Sequence, residues 1–155
     1  MRNAEQINSV LDSLYETFEP LLGTALYIGP LEGVKTSGTY GSIILSALFT
    51  GSFEGKLTLT LEWVSGFQLA EAVINAKIER YNEEVQKGLE TVFSTAMSNT
   101  QARLTALAGP VSIRVLPTLV DTNALLGEAG EIGAVKVPIH SDSGVMNLYF
   151  AFGNH

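Results

Sequence analysis

The chain has 155 residues, 46% of them hydrophobic, and a net charge of −7, which is enough apolar material to bury the core of a single domain spanning residues 1–155. Nine Lys and Arg scattered along an acidic chain do not supply the clustered basic surface that a phosphate backbone needs, which argues against nucleic acid as a partner. With no cysteine and only His140 and His155, disulfides, a thiolate nucleophile and a Cys-based zinc site are excluded, and no metal site is expected.

The opening MRNAEQINSV has no apolar signal core and no run approaches a membrane span, so a soluble, cytoplasmic domain is expected. Ile7, Val10, Leu11, Leu14, Phe18 and Leu21/Leu22 then recur at helical spacing, with Glu5, Asp12, Glu16 and Glu19 on other faces. This first helix should stop between Pro20, which lacks an amide donor, and Gly23. From Thr24 to Gly55, six punctuating Gly and Pro residues between β-branched and aromatic ones predict short strands. Ser42 to Phe49 should pair with Lys56 to Trp63 through a turn over Gly51 to Gly55. In the latter strand Leu57, Leu59, Leu61 and Trp63 alternate with Lys56, Thr58, Thr60 and Glu62, the pattern of one buried face.

Ser65 is the expected cap of a second helix carrying Leu69, Ala72, Val73 and Ala76 on one face, with KIERYN as its polar end. The longest amphipathic stretch is Asn82 to Leu107. Val85, Leu89, Val92, Ala96, Thr100, Leu104 and Leu107 form its stripe, Asn82 caps it, Glu83 and Glu84 favour its positive end, and Gly109 and Pro110 stop it. Alternation returns after Pro110, in Val111 to Leu116 with a further piece at Thr118 to Asp121, then in Val135 to His140 and Val145 to Phe152. Pro138 places its strand at an edge or bulge, SDSG at Ser141 to Gly144 is a turn, and Gly127 to Gly133 is a flexible connection. Helix, strands, two helices, strands defines an α+β fold: an antiparallel sheet of about six strands with three main helices packed on one face. The apolar strand Val145 to Phe152 would invite aggregation at an open edge and needs cover.

No nucleophile elbow, phosphate-cradling loop, metal cluster or dinucleotide fingerprint is present in the sequence. His140 reads as an ordinary exposed histidine on the polar face of an edge strand, and His155 as a chain end. The outer face of the long helix says more. Lys87, Thr91, Ser94 and Ser98 lie opposite the apolar stripe, flanked by Glu90, Thr95, Asn99 and Gln101. Solvated helix faces favour Glu, Lys and Gln over Ser and Thr. Two explanations stand side by side: a small-residue face that lets another surface approach closely, or a face tucked under strands or a dimer mate.

EEVQKGLETVFSTAMSN, from Glu83 to Asn99, resembles the signature helix of the CheX branch of the CheC/CheX/FliY chemotaxis phosphatases. The likeness extends to INSVLDSLYETFEPLLG at Ile7 to Gly23, to GSIILSALFTGSFEGKLTLTLEWVSGFQLAEAVI at Gly41 to Ile74, and to VSIRVLPTLV at Val111 to Val120, where Pro117 belongs to the family pattern. The resemblance implies a CheC/CheX-like fold and a homodimer formed by extending sheets across subunits. It also implies action on the aspartyl phosphate of a CheY-like response-regulator receiver domain. The receiver would carry Mg²⁺, so no cofactor is expected here. In the family, an Asn amide positions the attacking water and a Glu docks a receiver lysine.

Carried over position by position, the catalytic Glu falls on Thr91 and the catalytic Asn on Ser94, and the separation from Ser94 to Pro117 is the one the family pattern has. Serine has no amide to hold water with paired donor and acceptor, and threonine has no charge for a lysine. Glu90 is one residue away and points about 100° around the helix. A literal Glu-x-x-Asn, Glu79 and Asn82, lies in the connection before the helix and is read as coincidence. No catalytic residue is therefore assigned, and Lys87, Glu90, Thr91, Ser94, Ser98 and Asn99 are the candidate partner-binding residues. The domain is expected to dock a phosphorylated receiver, either dephosphorylating it through Glu90 or Ser94 in a changed geometry or serving as a non-catalytic binding or structural dimer module.

Overall fold

A computed structural model describes residues 2–29, 32–33, 43–52, 54–120, 135–142 and 144–152. The expected connection at Gly127 to Gly133 and His155 lie outside them. Helix α1 (Arg2–Leu22) is followed by two-residue strands β1 (Tyr27–Ile28) and β2 (Glu32–Gly33) and by the hairpin β3 (Ile43–Gly51) and β4 (Gly55–Leu61). Helices α2 (Trp63–Ile74) and α3 (Glu83–Ala108) precede β5 (Val111–Val115), β6 (Leu119–Val120), β7 (Val135–Ser141) and β8 (Gly144–Phe152). Every pairing is antiparallel, in the order β1-β7-β8-β4-β3-β5, with β2 also on β7 and β6 also on β3.

Period two puts Ile43, Leu45, Ala47 and Phe49 of β3 on the same face as Leu57, Leu59 and Leu61 of β4 and Met146, Leu148 and Phe150 of β8. That face receives Val10, Leu14 and Phe18 of α1, Leu69 and Ala70 of α2, and Val85, Leu89, Phe93, Ala96 and Met97 of α3 in one continuous core. Helix α3 lies in the middle of the helical layer, against α1, α2 and β5. Burial of this face drives the fold, at ~25 cal/mol for each Å² of apolar surface removed from water.

Several expectations need correction. The opposite face of β4 is also covered, with Thr58 and Thr60 only 1% and 4% exposed, so alternation of leucine with threonine distinguished apolar from hydroxyl-bearing side chains, not buried from exposed ones. Trp63 opens α2 and is no part of the strand. Ser65 is buried within the helix. Glu62 is the N-cap residue but makes no side-chain cap, its Oε1 accepting instead from Val145 N at 3.3 Å on β8. KIERYN is not helical, because Asn75 takes the left-handed conformation that ends α2. Leu107, in the last turn of α3, is 46% exposed and no part of the buried stripe.

Two expectations are refined. Strand β8 is interior, between β7 and β4, so its apolar residues are covered within the chain. Pro138 sits where β7 is paired on its outer side by neither β1 nor β2, which meet it at residues 139–140 and 135–136. Its carbonyl accepts from Gly29 N at 2.9 Å on that outer side, and a strand residue's N and O point the same way. The missing amide donor is thus turned to the outer side, where neither β1 nor β2 forms a ladder pair with Pro138.

Candidate functional site: the outer face of α3

Helix α3 starts where expected. Asn82 is extended and its Oδ1 accepts from Val85 N at 3.0 Å, which commits the Asn of the literal Glu-x-x-Asn to capping. Gly109, at φ 101°, ends the helix, its N–H donating to Thr105 O. The buried side is broader than the stripe read from sequence, since Gly88, Phe93 and Met97 join it. The helix is packed by two helices and a strand, which a single 3.6-residue stripe does not anticipate.

What remains outside is the predicted face. Lys87, Thr91, Ser94, Thr95, Ser98 and Asn99 are exposed and Glu90 is half-buried; all but Asn99 line one open groove of about 490 Å³. Among the described residues, no strand of the chain covers this face. The hydroxyls of Thr91 and Thr95 donate to Lys87 O and Thr91 O at 2.8 and 3.0 Å. Back-bonded hydroxyls of this kind leave less hydrogen-bonding capacity on the surface than the residue types suggest.

Glu90 behaves differently from its neighbours. Its Oε2 accepts from Gln86 Nε2 and from the backbone N–H of Thr118, both at 3.3 Å. Thr118 lies where the edge of the sheet slips register. Val115 opposes Ala47 but Leu119 opposes Ile44, so the three residues Leu116 to Thr118 face only Leu45 and Ser46. This is a β-bulge, and Pro117 sits at its centre. Leu116 N still reaches Ser46 O at 2.9 Å. Glu90 also helps raise the phenol of Tyr81 above its ordinary value, second to burial of that ring. Gln86, Thr118 and Tyr81 escaped the sequence reading. Gln86 is visible only as a partner four residues before Glu90, and Thr118 enters only through sheet register.

Other positions read from sequence lie elsewhere. Glu79 is exposed in the α2–α3 connection. His140 is half-buried and stacks on Tyr27 with ring centroids 5.3 Å apart and an interplanar angle of 13°, so it is a packed residue of the β1–β7 edge and not a free one. Among the described residues no group of three or more His, Asp or Glu could hold a metal ion, and no helix is long and apolar enough to cross a membrane.

An antiparallel sheet carrying α1, α2 and α3 on one face, with β5 and β6 closing one edge, is the CheC/CheX fold of the α+β class. The chain superposes on a CheC-like superfamily protein from Shewanella sp. PV-4 with a TM-score of 0.83 at 17% identity, covering 97% of this chain and 98% of that one. It is similar to the chemotaxis protein CheX of Desulfovibrio desulfuricans at a TM-score of 0.80 and 12% identity, covering 96% and 99%. The CheX–CheY–BeF₃–Mg²⁺ complex from Borrelia burgdorferi is likewise similar, at a TM-score of 0.69 and 17% identity over 96% and 97%. No family model and no curated protein matches the sequence.

Proposed function

We propose that this domain docks the phosphorylated receiver domain of a response regulator through the outer face of α3. The observation that carries the reading is the exposed, small-residue groove from Lys87 to Ser98, on a fold shared with a CheX protein whose structure is a complex with CheY. The receiver brings the Mg²⁺ and the phosphoaspartate, so the docking domain supplies only surface. A soluble cytoplasmic setting and a homodimer formed through sheet edges belong to the same reading.

Catalysis is the finer question, and the residues favour docking without turnover. Phosphoryl transfer to water needs a group that holds the water in line, and Ser94 has a hydroxyl where the family pattern has an amide. Thr91 carries no charge, and its hydroxyl is directed to Lys87 O. Purified protein should bind a beryllofluoride-loaded receiver without hastening phosphate release from the phosphorylated one. Installing the pair as Thr91→Glu with Ser94→Asn should then accelerate release on the order of 10²-fold over either single substitution, since orientation of a reacting water is worth that much. Turnover by the unaltered chain that is abolished by Ser94→Ala would replace this reading with the phosphatase one. The absence of any bound receiver would remove both.

A further inference from the structure

We infer that Glu90 is a positioning residue, which ties the Pro117 bulge to α3 and thereby holds its own carboxylate in place on the docking face. The inference rests on the docking reading but concerns a different contact. Three observations converge on it. The bulge places three residues opposite two, so one backbone amide of this edge loses its regular ladder partner. Pro117 has no amide, and Leu116 N is already bonded to Ser46 O, which leaves Thr118 N as the donor without a strand acceptor. Glu90 Oε2 takes that N–H at 3.3 Å.

The same oxygen is braced from within the helix by Gln86 Nε2, one turn earlier, so the carboxylate is held from two directions. Thr118 Oγ1 and Tyr81 Oη are buried and have no hydrogen-bond partner among the described residues. Glu90 lines the groove together with Thr91 and Ser94. A loose bulge would free the Glu90 side chain to move relative to these two positions. The requirement is for an acceptor oxygen at the right reach, not for a negative charge offered to a partner's lysine.

Reach and charge are separated by two conservative variants. Glu90→Gln keeps the length and an acceptor oxygen while removing the charge. Glu90→Asp keeps the charge and shortens the arm by one methylene. Affinity for a beryllofluoride- and Mg²⁺-loaded receiver domain would be measured beside hydrogen exchange at the Thr118 amide, with circular dichroism to confirm folding. Glu90→Ala should speed Thr118 exchange about tenfold, the scale of one hydrogen bond to a charged group, and weaken receiver binding. Glu90→Gln should restore most of both losses, and Glu90→Asp should restore neither. The opposite order, with Asp active and Gln inactive, overturns the inference and makes Glu90 a charge contact. Unchanged Thr118 exchange in all three variants also overturns it. If the unaltered protein binds no receiver, the docking reading fails and the groove role with it, while the exchange data still report whether Glu90 holds the bulge.

Discussion

Tyr81 joins the aromatic packing at the start of α2 to the groove. Its ring meets Trp63 edge-on at 6.0 Å, and its phenol is raised first by burial and then by the Glu90 carboxylate. Tyr15 is raised similarly, by burial, then Glu19, then Asp12. Below about pH 10 these phenols are protonated in the folded and unfolded chain alike, and their contribution to stability is whole. As pH climbs through the raised folded-state values, the unfolded chain has already released its protons, so folding weakens. Tyr81→Phe should therefore lose less stability than the unaltered protein above about pH 10, as followed by thermal unfolding. Glu90→Gln should let Tyr81 ionise at lower pH, as followed by phenolate absorbance. Neither the aromatic cluster nor the Glu90 field was legible in the sequence, where Trp63 read as the end of a strand and Tyr81 lies 18 residues on.

At the scale of elements, acidic side chains repeatedly accept backbone amides where regular structure ends. Glu19 Oε2 accepts from Leu26 N at 2.7 Å just past α1, and Glu71 Oε2 accepts from Ile78 N at 2.8 Å just past α2, each seven residues on. Glu62 does the same for Val145 across the sheet, and Glu90 for Thr118. Four glutamates thus take up backbone donors that lack a regular partner, each of which would otherwise cost ~1–3 kcal/mol when buried. Asn82 belongs to the same set. Asn82→Ala should lower stability by about 1 kcal/mol in urea unfolding, with receiver binding retained, since Asn82 caps the helix and lies off the groove. Loss of binding at unchanged stability would instead give function to the Glu79–Asn82 pair. The cap was legible because capping is local; the Glu–amide pairs were not, because their partners are fixed by how the chain turns after each helix.

For the whole molecule, the sheet presents different edges. Among the described residues, β7 is partnered on one side by the two-residue strands β1 and β2, and on the other side of the sheet β3 is partnered by β5 and β6. Tyr27, Ile28, Leu119 and Val120 are exposed at these edges, and exposed apolar residues beside open strands favour pairing with another chain. The proposed homodimer should therefore appear as twice the chain mass in light scattering at micromolar concentration. A clean monomer there would remove it, leaving the α3 reading intact. Interior placement of β8 means that the case for a dimer no longer rests on Val145 to Phe152, whose cover is supplied by β7 and β4.

The sequence by itself determined the three helices, the β3–β4 hairpin, the Asn82 cap and the outward face of α3, because each rests on periodicity or on groups a few residues apart. Only tertiary structure decided which strands are interior, that both faces of β4 are covered, and that Glu90 points to Thr118. Those facts depend on sheet order and on a one-residue slip between β5 and β6, and no local pattern of residues encodes where a strand 28 positions away will lose its hydrogen-bond register.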